Sequence, residues 1–115
     1  MALSELELKR CERDWQRFAI KRRPPSHLRA QLDLFWRVDG HSVQIIEVRP
    51  DWRDSAQRLE TPVAKATFVR SREHWRIYWR RGDGKWHGYE PRCEVRSFDE
   101  FLAVVDADEH ACFFG

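Results

Sequence analysis

The stretch HWRIYWRRGDGKWHGYE, residues 74–90, contains three of the six tryptophans of this 115-residue chain and both of its tyrosines. Residues that favour β-strands alternate with basic ones on either side of Gly82-Asp83-Gly84, which predicts two strands joined by a tight turn. Successive side chains of a strand point to opposite faces, so Trp75, Ile77 and Trp79 share one face. The stretch therefore predicts an antiparallel hairpin with one apolar side.

The length of the turn decides where the third tryptophan lies. A two-residue turn at Asp83-Gly84 sets Trp79 opposite Gly88 and puts Trp86 on the face of the other tryptophans. Large aromatic side chains are usually buried. We therefore expect the three tryptophans of this hairpin to form the core side of a sheet.

The opposite side of these strands is predicted to be basic and aromatic. Such a face is typical of platforms for single-stranded nucleic acid, where Arg and Lys neutralise phosphates and bases stack on rings. The ordinary alternative is the solvated back of a one-sided sheet, which needs no ligand. The candidate nucleic-acid-binding residues are Lys65, Arg76, Tyr78, Arg80, His87 and Tyr89.

Two further strands precede this hairpin as LDLFWRVDGHSVQIIEVRP, residues 32–50. The Asp39-Gly40 pair favours a two-residue turn, which sets Val38 opposite His41 and Trp36 opposite Val43. VAKATFV, residues 63–69, reads as the strand between the two hairpins. Residues 51–62 are predicted to be a loop.

Helix signals flank the strands. Ser4 with Glu7, and Ser97 with Glu100, have the spacing of a capping box, in which each pair satisfies free N–H groups of the first turn. Apolar residues follow each cap at helical spacing and predict a buried stripe. These stripes are Leu8, Cys11, Trp15 and Phe18 in the first helix, and Phe98, Phe101, Leu102 and Val105 in the second.

The order of elements predicts an α+β fold: an antiparallel five-stranded meander sheet with the N-terminal and C-terminal helices packed on one face. The length of 115 residues fits one domain, residues 1–115. In the loop RPDWRDS, Trp52 is expected to cover the edge of the core, with a recognition role as the alternative.

Composition narrows the class of protein. The chain is 42% hydrophobic and 35% charged, which is typical of a globular protein. It has no run of about 20 apolar residues and no apolar segment typical of a secretory signal. Three cysteines without a CxxC pair favour reduced thiols. We therefore expect a cytoplasmic protein that does not enter the membrane.

The net charge of +2 conceals a segregation of charge. Residues 61–96 carry nine Lys and Arg against four Asp and Glu, whereas residues 97–115 carry five acidic residues and no Lys or Arg. The basic middle and the acidic C-terminus either contact each other or face separate partners.

Two carboxylates on neighbouring predicted strands raise the alternative of a metal-dependent enzyme. Asp33, with Glu47 and Arg49 on the next strand, has the residue types that hold Mg²⁺ and water in metal-dependent nucleases. In the predicted register Asp33 faces Ile46. Glu47 faces Leu32, so the two carboxylates point to opposite sides of the sheet. This register argues against the nuclease alternative.

The C-terminal residues His110 and Cys112, beside Asp106, Asp108 and Glu109, are a second potential metal cluster. Their spacing matches no closed zinc site, and an acidic tail is the simpler interpretation. No nucleophile and base are paired by spacing, and RGDGK reads as a turn rather than a phosphate loop. We therefore expect no catalytic residues, no metal and no cofactor.

Segments along nearly the whole chain carry a resemblance. They are KRRPP, LDL, EVRPDWRD, VAKATFV, WRIYWRRGDGKWHGYEP and FDEFLAVVDADEHACFFG. Together they resemble a family of small bacterial proteins known as domain of unknown function 3024. The resemblance implies a single-domain bacterial protein with an ordered C-terminus, and it brings no catalytic or binding residue with it.

The sequence leaves three functions open. The first is a non-enzymatic binding or interaction module whose partner is another protein or a second copy of the chain. The second is a single-stranded nucleic-acid-binding domain that uses the basic and aromatic face. The third, which the register disfavours, is a metal-dependent hydrolase of the nuclease type.

Overall fold

A computed structural model describes residues 2–114 of the chain. Helices at each end enclose a block of strands in chain order. The elements are α1 (Glu5–Arg22), β1 (Asp33–Asp39), β2 (Ser42–Pro50), β3 (Arg58–Val69), β4 (His74–Arg80), β5 (Trp86–Gly88), β6 (Glu94–Val95) and α2 (Phe98–Ala107). Met1 and Gly115, the ends of the predicted domain, lie outside the described residues.

The strands form one antiparallel sheet in the order β1-β2-β3-β4-β5. The short strand β6 pairs with the part of β4 that β5 leaves free, at Trp75 and Arg76. The predicted α+β fold with a five-stranded meander is confirmed, and β6 is an addition to it. Residues 58–62, predicted as loop, belong to β3.

Both helices begin at the predicted caps. Ser4 accepts a hydrogen bond from the backbone N–H of Glu7, whose carboxylate accepts one from the N–H of Ser4 in return. Ser97 accepts from the N–H of Glu100 at the start of α2. These bonds satisfy backbone donors that the first helical turn leaves free.

The two helices lie on one face of the sheet, here called the helix-covered face. The indole of Trp15 on α1 stacks on that of Trp36 on β1, with ring centroids 6.1 Å apart. Phe101 of α2 and Ile45 of β2 are fully buried in the same core. The other side of the sheet is covered by neither α1 nor α2 and is here called the open face.

The first hairpin differs from its predicted register by two residues. Asp39 pairs with Ser42, so the turn consists of Gly40 and His41, with Gly40 at a positive φ of 59°. Val38 consequently faces Val43 rather than His41. A shift of two residues keeps every side chain on its predicted face, because the side-chain period of a strand is two.

The second hairpin differs from its predicted register by one residue, and this difference changes the face on which side chains lie. Arg80 pairs with Trp86, so the connection contains five residues, 81–85, instead of a two-residue turn. The N–H of Gly84 donates to the carbonyl of Arg81, and the N–H of Arg81 donates to that of Lys85, which closes this longer loop. A slip of one residue moves every side chain of β5 to the other face.

Candidate functional site

The residues predicted for nucleic-acid binding divide into two groups. Lys65 faces Tyr78 across β3 and β4, and Arg76 and Arg80 flank Tyr78 on alternate positions of β4. These four residues share the open face, as predicted. Trp86, paired with Arg80, lies there too, although the sequence placed it in the core. The structure thus brings together a sheet-face cluster: Lys65, Arg76, Tyr78, Arg80 and Trp86.

His87 and Tyr89 do not belong to this cluster, and their predicted placement is wrong. His87 pairs with Trp79 on the helix-covered side and bonds to Asp83 at 2.9 Å. Tyr89 is 3% exposed and packs against Phe113, with ring centroids 4.9 Å apart. Burial raises the pKa of the Tyr89 phenol, and nearby negative charges add to this effect. The one-residue difference in register explains both corrections.

The ammonium group of Lys65 occupies the centre of the sheet-face cluster. Its Nζ lies 4.8 Å from the ring centroid of Tyr78 and 5.0 Å from that of Trp86. A cation over aromatic faces is held by the ring quadrupoles. Burial among these rings lowers the pKa of Lys65, because partial desolvation disfavours the charged form.

The arginines of the cluster differ in their partners. The guanidinium of Arg80 donates through Nε to the carbonyl of Gly84 at 3.1 Å and forms no salt bridge with any residue of 2–114. Arg76 lies 3.6 Å from Glu94, which also binds Arg72 and His74. The hydrogen bond from His74 and these cations lower the pKa of the Glu94 carboxyl. Arg80 is therefore the more available of the two arginines.

An open space lies beside Tyr78. Its neighbour on β5 is Gly88, and a Cβ built on Gly88 would have no heavy atom within 4 Å. Glycine in a strand often marks a place where a ligand can approach the backbone closely. The Tyr78 side of the cluster is therefore accessible along β5.

The open face is also partly apolar. Ile46 of β2 is fully buried there, beside its strand neighbours Phe35 and Pro62. A purely solvated sheet surface has no fully buried side chain, so this face differs from the wet back of a one-sided sheet. The open face therefore combines apolar residues with the basic groups of the sheet-face cluster.

The carboxylates considered for a metal site remain apart, in a corrected register. Asp33 faces Val48 and Glu47 faces Leu34, instead of the predicted Ile46 and Leu32. Their side chains still point to opposite faces. Within residues 2–114 no three His, Cys, Asp or Glu side chains are grouped as metal ligands would be.

The acidic C-terminus is folded onto the protein. Both oxygens of Asp108 accept backbone hydrogen bonds, from Phe113 at 3.1 Å and Phe114 at 3.0 Å. Asp106 lies 3.7 Å from Arg22 of α1, while Glu100 lies 3.0 Å from Arg92. Contacts between the acidic C-terminus and basic groups thus exist within the fold.

Trp52 is not a cover for the core. It lies in the loop between β2 and β3 with 84% of its surface exposed, and the guanidinium of Arg53 lies 5.0 Å from its ring. The prediction that it packs at the core edge is wrong, because the ring faces solvent and its cation–π neighbour, Arg53, belongs to the same loop.

Two residues of interest were missed from the sequence. Trp86 was assigned to the wrong face, because the turn was taken to contain two residues whereas the structure has five between Arg80 and Trp86. Asp14 is buried on α1, and its signal was a charge at a stripe position between Cys11 and Trp15.

The fold and its open face define a two-layer α+β protein with a basic, aromatic sheet surface. The chain belongs to the family described as Domain of unknown function (DUF3024), whose model matches residues 3–115. No curated protein and no solved structure matches the chain significantly. Neither helix of the described residues 2–114 combines the length and apolar character that a membrane span requires.

Proposed function

We propose that this protein is a non-enzymatic binding module that holds single-stranded nucleic acid on the sheet-face cluster. The observation that carries the proposal is the Lys65 ammonium between the rings of Tyr78 and Trp86, on the sheet face opposite α1 and α2. Single-strand binders combine cations for phosphates with aromatic faces for bases in this way.

The geometry supports a particular mode of binding. The open space at Gly88 admits a base beside Tyr78, where it stacks on an aromatic ring. Arg80 and Lys65 then lie within reach of the phosphates on either side of that base, and Arg76 contributes after exchange of its contact with Glu94. Stacking on rings is tolerant of sequence, so we expect little preference among bases.

Fluorescence anisotropy of labelled oligo-dT, oligo-rU and duplex DNA at 50 and 200 mM salt tests the proposal. We expect single strands to bind more tightly than duplex, and the affinity to fall as salt rises, because about two to three phosphates are neutralised. Trp86→Ala is expected to weaken binding about tenfold, as the loss of one stacking contact does. Arg80→Glu is expected to weaken it further.

Two further variants distinguish binding at the sheet-face cluster from general electrostatic attraction to the protein. Arg17→Glu makes the same change of charge on exposed α1, on the other side of the molecule, and is expected to leave most of the affinity intact. Gly88→Glu closes the space beside Tyr78 and is expected to abolish binding. Flat titrations of the unmodified protein at low salt, or equal losses for Arg17→Glu and Arg80→Glu, would refute the proposal.

Trp52 supports a second candidate, a module with a protein partner or a second copy of the chain. An exposed tryptophan beside an arginine has the composition of an interface hot spot. Because Trp52 lies outside the sheet-face cluster, Trp52→Ala is expected to leave nucleic-acid affinity unchanged. A loss of nucleic-acid binding in that variant would count against the sheet-face assignment.

A bacterial source and a cytoplasmic location are part of the proposal. All three cysteines are free: Cys11 is buried, Cys112 partly buried and Cys93 exposed. An exposed free thiol is more stable in a reducing compartment, which supports the cytoplasm.

A further inference from the structure

The two helices carry opposite charges on neighbouring surfaces. α2 has three acidic residues and no Lys or Arg. On α1, Arg10, Arg17 and Lys21 recur at spacings of seven and four residues, so they lie on one face of that helix. A basic row on α1 therefore lies next to an acidic helix.

Contacts at both ends show how the two helices are arranged. Arg22, in the last turn of α1, lies 3.7 Å from Asp106, in the last turn of α2. Asp14, in the middle of α1, lines one cavity together with Ser97 and Asp99 at the start of α2. The helices therefore lie side by side and point in the same direction, with the basic and acidic rows on either side of the groove between them.

The groove is apolar along its floor and on part of its rim. It has a volume of about 480 Å³, and Phe18 and Leu102, 6% and 3% exposed, form its floor. Ile20 of α1 lies at the rim with 84% of its surface exposed, and Ala103 is exposed on the α2 side. Exposed apolar residues bordered by charged ones are typical of an interaction surface.

Five charged residues line the groove, two bases on α1 and three acids: Arg17, Lys21, Asp14, Asp99 and Asp106. Asp14 is buried and has Arg13 as its partner, 3.3 Å away. Within residues 2–114, Arg17, Lys21 and Asp99 form no salt bridge. Both sides of the groove therefore present charges that another molecule can pair.

We propose that this groove is the interface of a homodimer, in which the second copy places its α2 over α1 and its α1 over α2. A two-fold axis that runs along the groove produces this arrangement, and such a dimer joins the same patch of both copies. Arg17 and Lys21 of each copy then face the acidic α2 of the other. Ile20 is covered at the same time, and the small side chain of Ala103 lets the helices approach closely.

The charges favour a second copy over other occupants of the groove. A partner helix with charges of one sign would be attracted on one side of the groove and repelled on the other. A two-fold axis across the groove would place α1 on α1 and α2 on α2, so that like charges meet. A second copy in the proposed orientation pairs opposite charges on both sides.

The dimer interface is separate from the sheet-face cluster. α1 and α2 cover one side of the sheet, whereas Lys65 and Tyr78 lie on the open face. The dimer therefore leaves the sheet-face cluster of both copies exposed. Dimerisation is consequently measurable without nucleic acid, and its absence would leave the proposed function untouched.

Sedimentation velocity of the full chain, from about 1 µM to about 1 mM, tests the interface. We expect the mass to rise with concentration from 13.9 kDa towards twice that value. The Kd is expected to be on the order of 10 to 100 µM, because α2 is short and small interfaces are weak. High salt is expected to weaken the dimer, because exposed charges are screened.

One substitution removes the apolar contact. Ile20→Glu is expected to weaken the dimer at least about tenfold, because it places a charge where the second copy packs. Leu59→Glu makes the same kind of change at a 47% exposed position of β3 and is the matched control, with no expected effect on the mass.

Two charge-reversed proteins test the orientation. One carries Arg17→Glu with Lys21→Glu, and the other carries Asp99→Lys with Asp106→Lys. Each alone is expected to be monomeric, since like charges then meet on both sides of the groove. An equimolar mixture is expected to regain the dimer mass, because the acidic α1 of one protein faces the basic α2 of the other.

Recovery of the dimer on mixing would also show that both charge-reversed proteins are folded, and Ile20→Glu decides the question if one of them is not. A monomer at every concentration of the unmodified protein would overturn the inference. So would a dimer that survives Ile20→Glu, or a mixture of folded charge-reversed proteins that stays monomeric. Loss of the dimer in Leu59→Glu would place the interface at β3 and overturn it too.

Discussion

The carboxylate of Asp33 belongs to an ion pair rather than to a metal site. Nε and Nη2 of Arg23 donate to its two oxygens at 2.7 and 2.8 Å, and the N–H of Leu34 donates to Oδ1 at 2.8 Å. These bonds, with that from Arg23 the strongest, hold the pKa of Asp33 below its usual 3.8. At the scale of single residues, Asp33, which was considered as a metal ligand, instead joins the end of α1 to β1 through Arg23.

Replacement of this acid tests its role. We expect Asp33→Asn to lower the free energy of unfolding by about 1 kcal/mol at pH 7, since the pair is two-pronged but partly exposed. Because the pKa is lower in the folded state, this contribution is complete above pH 3.8 and is lost as the pH falls through the folded-state pKa. The difference between the two proteins should therefore narrow below about pH 4. Urea denaturation at pH 7, 5 and 3 measures the difference in the free energy of unfolding, and Glu12→Gln is the control. A difference that persists unchanged at pH 3 would contradict the prediction.

Among the elements, the loop between β4 and β5 has the largest effect on the candidate site. Its five residues put Trp86 beside Lys65, and Gly84 within it has a φ of 76°, a conformation that favours glycine. A Cβ at Gly84 would lie 4.0 Å from its nearest neighbour, so the cost of adding one is conformational rather than steric.

Two glycines of this loop form a matched pair for experiment. We expect Gly84→Ala to destabilise the protein by about 1 kcal/mol, because a residue with a Cβ is strained at positive φ. Gly82 has no positive φ and a Cβ there would meet nothing within 4 Å. Gly82→Ala is therefore expected to leave the free energy of unfolding unchanged or to raise it by roughly a few tenths of a kcal/mol, because alanine lowers the conformational entropy of the unfolded chain. Thermal unfolding compares the two; equal effects would show that the loop does not hold this conformation.

At the scale of the whole molecule, the C-terminal tail packs against the core and completes it. After α2, Asp108 adopts a left-handed conformation with a φ of 41° and captures the tail through its two hydrogen bonds. Phe113, 5% exposed, then packs on Tyr89 behind the second hairpin, and Phe114 lies 4.5 Å from the guanidinium of Arg22 on α1. The tail thus joins the last element to the first helix and to the hairpin.

Replacement of one side chain of the tail by alanine measures how much the tail stabilises the core. We expect Phe113→Ala to lower the free energy of unfolding by about 3 kcal/mol, as expected for removing a buried aromatic ring. His110→Ala, at an exposed position of the same tail, is expected to change it by less than about 0.5 kcal/mol. Guanidinium denaturation followed by tryptophan fluorescence gives both values. A loss below about 1 kcal/mol for Phe113→Ala would mean that the tail contributes little to the core.

Local patterns determined the elements of this protein and the faces of most of them. The caps at Ser4 and Ser97, the helical stripes and the alternation around Trp75 depend on near neighbours in the chain, so the sequence by itself predicted the α+β fold and the positions of Lys65, Arg76, Tyr78 and Arg80. Only the tertiary structure decided the length of the second turn, because packing of Tyr89 against Phe113, 24 residues away, favours one register over its one-residue alternative. The same holds for Asp14: its place in a helical stripe was visible, but its burial depends on α2 and β4, whose approach no local pattern specifies.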